Sequence, residues 1–176
     1  MSTIFSSIPT SPQKAKEVES ASVDPSQELS TICIADFSHI EGAKTLADAN
    51  RLIFGFITRG AFYDALQAGT LIVATRYGEV VGFLRFHHRK CDLQTTLYDI
   101  CVAESERGKG LGQNMITMLI DCCRNCNRAT ILLKCPTHLA ANAFYEKLGF
   151  YRIDTLIGKR QKLNVWQLDL TSRGQQ

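Results

Sequence analysis

The chain has 176 residues, 45% of them apolar and 21% charged, the make-up of an ordinary globular protein long enough for one substantial core. Its net charge of +3 is too small to point to nucleic acid, and no apolar run approaches the roughly 18 residues that span a bilayer. The charge is uneven. Residues 1–30 carry two lysines against four acids, a balance of −2 that leaves +5 for the remainder, a mild attraction for an anionic ligand.

Met1 to Glu28 is rich in Ser, Pro, Lys and Glu and shows no period of 2 or 3.6, so it reads as a disordered tail ahead of a single domain over residues 29–172. It lacks the basic start and apolar stretch of a signal peptide. It has no Arg and four acids, unlike a transit peptide. A soluble cytoplasmic protein is the expectation. Thr31–Phe37 then reads as a strand, Ser38 to about Asn50 as helical, and Thr58–Ala68 as a helix with Ala61, Phe62, Ala65 and Leu66 on one face and Gly69 as its C-cap. Leu71–Tyr77, a Gly78-Glu79 turn and Val80–Arg89 read as an antiparallel hairpin. After a turn at 91–95 come strand Thr96–Ala103, helix Leu111–Cys126, strand Ala129–Cys135, helix Thr137–Leu148, and strands Phe150–Ile157 and Lys162–Leu170. This order predicts a mixed α/β (α+β) sheet with helices on its faces.

Seven cysteines, an odd number, suggest reduced thiols. Cys123 and Cys126 form a C-x-x-C, but no second pair stands at zinc spacing. Cys122 and Cys126 instead continue an apolar stripe with Leu111, Met115, Met118 and Leu119, where cysteine acts as a small hydrophobe. No metal is expected.

The most informative stretch is Arg107-Gly108-Lys109-Gly110-Leu111-Gly112, between a strand and a helix. Glycine permits φ > 0 and close approach of a ligand. The helix behind it aims unpaired N–H groups and the positive end of its dipole at the same spot, making an anion site. The string G-x-x-x-x-G-K-[ST] for a nucleoside triphosphate is absent. The spacing G-x-G-x-G, late in the chain and after a hairpin, does not fit a dinucleotide fingerprint. The spacing that matches is [RQ]-x-x-G-x-[GA], with Arg107, Gly110 and Gly112 in the fixed places.

With that loop, and with Asn142-Ala143-Phe144-Tyr145-Glu146-Lys147-Leu148-Gly149-Phe150 downstream, the chain resembles the GNAT-type N-acetyltransferase superfamily over roughly residues 30–170. One departure is Glu104, where many members carry proline. The resemblance implies a mostly antiparallel sheet splayed at a coenzyme A site, with acetyl-CoA as co-substrate and an amine as acceptor. It implies that the N–H groups of residues 108–113 (Gly108, Lys109, Gly110, Leu111, Gly112 and Gln113), beside Arg107, bind the pyrophosphate. It further implies that the backbone of Ile100, Cys101 and Val102 fixes the pantetheine arm, and that Tyr145 protonates the leaving thiolate. Asn142, one helical turn before Tyr145, is expected to line the same groove.

For the base, two candidates stand. Asp99 lies in the strand facing the thioester, and His87, next to His88, ends the strand before it; histidine has a suitable pKa. Arg85 and Arg89 either hold an acidic acceptor or decorate an exposed strand. The resemblance implies that the segment from Phe54 to Phe62 forms one wall of the acceptor pocket, and Phe54, Phe56 and Phe62 within it read as core. The acceptor stays open between a small amine, an antibiotic-like molecule, an amino acid, and a protein N-terminus or lysine. Neither nucleic acid nor a membrane is expected as a partner, and the protein is expected to be a monomer or homodimer. Two functions compete: an active N-acetyltransferase, and a catalytically silent acyl-CoA-binding module.

Overall fold

The computed structural model describes residues 30–158 and 161–171; the tail expected over 1–28 lies outside them. Seven strands form one sheet in the order β1-β2-β3-β4-β5-β7-β6. They are β1 (Thr31–Ile34), β2 (Leu71–Arg76), β3 (Glu79–His88), β4 (Gln94–Val102), β5 (Thr130–Pro136), β6 (Tyr151–Ile157) and β7 (Lys162–Asp169). Every neighbouring pair is antiparallel except β4 with β5. That exception follows from the connection: a helix separates β4 from β5, and a helical crossover is what parallel strands require. The helices are α1 (Ile40–Ala49), α2 (Arg51–Phe54), α3 (Arg59–Gln67), α4 (Leu111–Asn125) and α5 (Ala141–Lys147). None of them is long and apolar enough to cross a membrane.

Two cores lie on the two faces of the sheet. On one, α1 and α3 bring Ile40, Ala43, Ala47 and Phe62 onto Leu71, Val73 and Phe83. On the other, α4 lays Leu111, Met115, Ile116, Leu119 and Cys123 over Ile72, Leu84, Phe86 and Leu97. Each fully buried aliphatic side chain contributes about 1.5–3 kcal/mol. Successive residues of β2 and β3 supply both faces at once, so Leu71 to Ala74 and Gly82 to Leu84 are buried without a break.

Four readings of the sequence change in detail. The buried α4 stripe is Leu111, Met115, Leu119 and Cys123 at strict four-residue spacing, while Cys122 is half-buried and Cys126, past the helix end, is exposed. β4 begins at Gln94, two residues early, because Asp92 caps Gln94 N–H at 3.0 Å and closes the turn sooner. The helix expected from Thr137 starts at Ala141, since the Asn142 amide holds the carbonyls of residues 136 and 139 in a preceding turn. The first helical stretch ends at Asn50 as expected, where φ of −107° and ψ of 25° leave the helical well, but a further turn, α2, follows it directly.

Candidate active site

β4 satisfies one of its edges and leaves part of the other open. Toward β3 it pairs from Thr95 to Val102, with Tyr98 as the extra residue of a bulge between the Arg85–Asp99 and Phe86–Leu97 pairs. Ala103 N–H donates to Val81 O at 2.8 Å. Antiparallel alternation therefore turns the backbone groups of Cys101 and Asp99 toward β3, and those of Ile100 and Val102 toward β5. β5 does not meet them. Its parallel pairing with β4 ends at Leu97, opposite Leu133, while it stays bonded to β7 as far as Pro136. Between the diverging strands lies a cavity of about 720 Å³. Tyr98 to Val102 line one side of it and Lys134 to Pro136 the other, with Phe144 and Tyr145 of α5, Ile53 and Phe54 of α2, and the glycine loop completing the walls.

The loop is shaped by backbone chirality. Gly108 and Gly110 hold φ of 78° and 82°, values that an L-residue with a Cβ adopts only under strain. Gly110 is the N-cap of α4 and provides no side-chain cap. The first helix N–H to bond backwards is that of Asn114, to Gly110 O at 3.0 Å, so the donors of Leu111, Gly112 and Gln113 face the cavity mouth unpaired. At Gly112 the issue is space: a Cβ there would stand 3.3 Å from Phe144 Cζ, so glycine lets α5 close on α4 without a shift of that ring. This combination fits a pyrophosphate followed by an extended arm with amide groups.

Side chains then brace the loop. Glu106 accepts from Arg76 Nη1 at 3.1 and 2.9 Å and from Lys109 Nζ at 3.1 Å. Lys109 first, and Arg76 with it, hold the Glu106 carboxyl below the usual carboxylate range. Lys109, expected among the ligand contacts, is thus turned onto Glu106 and does not line the cavity. Arg107 does line it, yet its Nε donates to Val102 O at 3.1 Å and its Nη2 to Asn50 Oδ1 at 3.0 Å.

Of the residues proposed for chemistry, the cavity collects two. Tyr145 is 7% exposed, lines the cavity, and has no hydrogen-bond partner for its hydroxyl among the described residues. Burial, reinforced by Cys135 and Asp99 nearby, pushes its pKa well above that of free tyrosine, so the phenol stays protonated. Asp99 also lines the cavity, but its Oδ2 is taken by Arg85, whose Nε lies at 2.8 Å and whose Nη2 donates as well. Arg85 is not surface decoration: it also donates to Ala61 O at 3.3 Å and sits over the Phe62 ring.

Two expectations are corrected. His87 does not line the cavity: it shares the β3 face of Phe83 and Arg85 but lies near the strand's end, where it is exposed and stacks on Tyr98 at 6.5 Å. Asn142 does not line it either. Its Nδ2 donates to Pro136 O and Leu139 O at 2.8 and 2.7 Å, and its Oδ1 accepts from Asn164 Nδ2 and Trp166 Nε1 at 3.0 and 2.9 Å. Every hydrogen-bonding atom of that side chain is spent joining α5 to β5 and β7. Among the three phenylalanines, Phe62 is core, Phe54 packs on Phe83 at 6.2 Å while touching the cavity, and Phe56 is 64% exposed with Lys44 and Arg51 over its ring. The sequence reading missed Asn50, Ile53 and Lys134. Only Asn50 had a signal, as a residue that favours helix breaks.

Comparison with known proteins agrees with this geometry. The acetyltransferase (GNAT) family model matches residues 40–150. A 5-NmdU N-acetyltransferase of Pseudomonas phage PaMx11 is 34% identical over 86 residues, which is 49% of this chain and 60% of that protein, so the chain spans under two thirds of the relative's length. The ribosomal-protein-S18-alanine N-acetyltransferase of Escherichia coli superposes with a TM-score of 0.71 at 20% identity, over 84% of this chain and 97% of that one. The yncA protein of Salmonella typhimurium, solved with its cofactor acetyl-CoA, gives 0.70 at 23% identity over 84% and 98%. These structures share its mixed sheet with flanking helices. With a family model that covers more than half of it, the chain belongs to the acetyltransferase (GNAT) family.

Proposed function

We propose that the protein is an acetyl-CoA-dependent N-acetyltransferase that passes the acetyl group directly to an amine in a ternary complex. The observation that carries this is the open edge of β4 (Ile100 and Val102) set beside the unpaired N–H groups of Leu111 to Gln113 around one 720 Å³ cavity. In this reading the loop takes the pyrophosphate and the β4 edge takes the pantetheine amides. A free N–H of that edge polarises the thioester carbonyl. The amine nitrogen attacks the carbonyl carbon, the C–S bond breaks, and the Tyr145 hydroxyl donates to the departing sulfur. Holding both reactants in line supplies a large share of the rate.

With His87 outside the cavity, Asp99 is the remaining one of the two base candidates on the acceptor side. Its Oδ1 has no partner among the described residues, and it serves to attract and orient a cationic amine. The cationic amine loses one proton to solvent before it attacks, and the proton released as the amide forms returns through solvent to the Tyr145 phenolate. The test is release of free coenzyme A thiol across a panel of acceptors. The panel includes 5-NmdU, which the phage relative's name gives as its substrate, a peptide with an N-terminal alanine, lysine peptides, an aminoglycoside and small amines. Turnover with any of them supports the reading. Tight acetyl-CoA binding with silence across the panel favours the acyl-CoA-binding module instead.

A further inference from the structure

Resting on the acetyltransferase reading, the geometry points to Asn50 as a positioning residue that ties the acceptor wall to the acetyl-CoA loop through Arg107, so that loading one side organises the other.

The chain of contacts is continuous. Asn50 ends α1 and begins α2; its Nδ2 donates to Leu46 O at 2.9 Å, which fixes the side chain against α1. Its backbone carbonyl accepts the N–H groups of Ile53 and Phe54 at 3.0 and 3.2 Å. Those two residues are the part of α2 that lines the cavity. Its remaining atom, Oδ1, takes the Arg107 guanidinium. Arg107 in turn grips the carbonyl of Val102 on the open edge of β4 and stands next to Gly108 in the loop. One guanidinium therefore touches three walls: the β4 edge, the loop that carries it, and the pivot of α2.

α2 needs such a tether. It is a single turn of four residues, too short to hold itself. Leu52 is fully exposed and Ile53 about half exposed, so burial secures little of it beyond Phe54. Arg107 is thus placed to do more than contact a phosphate. Once an anion fixes the loop backbone, its guanidinium is held in place, and the α2 turn hanging from Asn50 is held with it. Coupling of this kind is reciprocal, so an acceptor resting on α2 would tighten acetyl-CoA by the same factor.

The experiment is amide hydrogen exchange at Ile53 and Phe54, with and without saturating acetyl-CoA, beside calorimetric titration of acetyl-CoA. In the wild type, acetyl-CoA should slow these two amides at least fivefold. In Asn50→Ala the slowing should fall below twofold while the acetyl-CoA dissociation constant stays within threefold of wild type. Asn50→Asp keeps an oxygen for Arg107 and should restore the slowing, a rescue that a merely structural cap would not show. If Asn50→Ala fails to fold, Arg107→Leu removes the same contact from the loop side and should also lose the slowing. Equal slowing in wild type and Asn50→Ala overturns the inference alone. Faster exchange on binding does so too, because it means that Arg107 leaves Asn50 for the phosphate. Absence of acetyl-CoA binding by the wild type overturns the acetyltransferase reading and this inference together.

Discussion

The two sides of the cavity are built on different principles. The loop side is made of backbone: positive-φ glycines, a helix N-terminus and a strand edge without a neighbour. The opposite side is made of side chains: Ile53 and Phe54 on a four-residue turn and Asp99 held by Arg85, with exposed Phe56 just beyond the turn. Backbone sites recognise what is common to a ligand class, here phosphate and amide. Side-chain sites recognise what is particular to one acceptor. The contrast explains why the family follows from the first region and the substrate does not follow from the second.

The contrast can be broken most severely at Gly110. Gly110→Asp forces φ of 82° on a residue with a Cβ and sets a carboxylate against the phosphate. Acetyl-CoA affinity measured by calorimetry should fall by about 1,000-fold, the scale of roughly 4 kcal/mol. Retained affinity would remove the loop from the site.

Tyr145→Phe comes next. It should lower kcat by about 100-fold, the low end for a lost proton donor, and leave acetyl-CoA affinity nearly unchanged. Because burial raises the tyrosine pKa, the group is protonated in the wild type throughout pH 6–9. The rate–pH profiles of wild type and variant should therefore have the same shape in that window. The same shift makes Tyr145 favour the native state below its unfolded pKa of about 10, with that contribution lost only in strong alkali.

Gly112→Ala should act more gently, through packing alone. Its Cβ presses on Phe144, and overpacking of this kind costs about 1 kcal/mol, seen as a lower Tm. Acetyl-CoA should bind a few-fold more weakly as α5 is displaced. On the side-chain side the smallest effect is expected: Phe56→Ala should raise the acceptor KM by about threefold, the scale of one partly exposed contact. It should leave acetyl-CoA affinity alone. A matching loss of acetyl-CoA affinity would erase the distinction between the two sides.

The same division sets what could be read from the chain itself. All seven strands were legible, because β2 is a short apolar run between turn residues, β3 follows it after a tight turn, and the last two runs are β-rich. Their order was not: nothing local says that β7 inserts between β5 and β6. The glycine loop was legible because φ > 0 restricts residue type. Asn142 misled because spacing on a helix gives a face and not a partner; the Asn164 and Trp166 that claim it lie more than twenty residues away in sequence. His87 misled for a related reason, since alternation gives the face of the strand and not how far along it the cavity reaches.

The cavity also holds two thiols, Cys101 and Cys135. A thiol beside a thioester is a rival acceptor, able to take the acyl group by exchange and leave the protein self-acylated. Burial pushes both up to about 11, so at pH 7 only about one in ten thousand of either is the nucleophilic thiolate. In the proposed function, desolvation of these walls works as chemical insulation, keeping the acyl group on its carrier until an amine arrives.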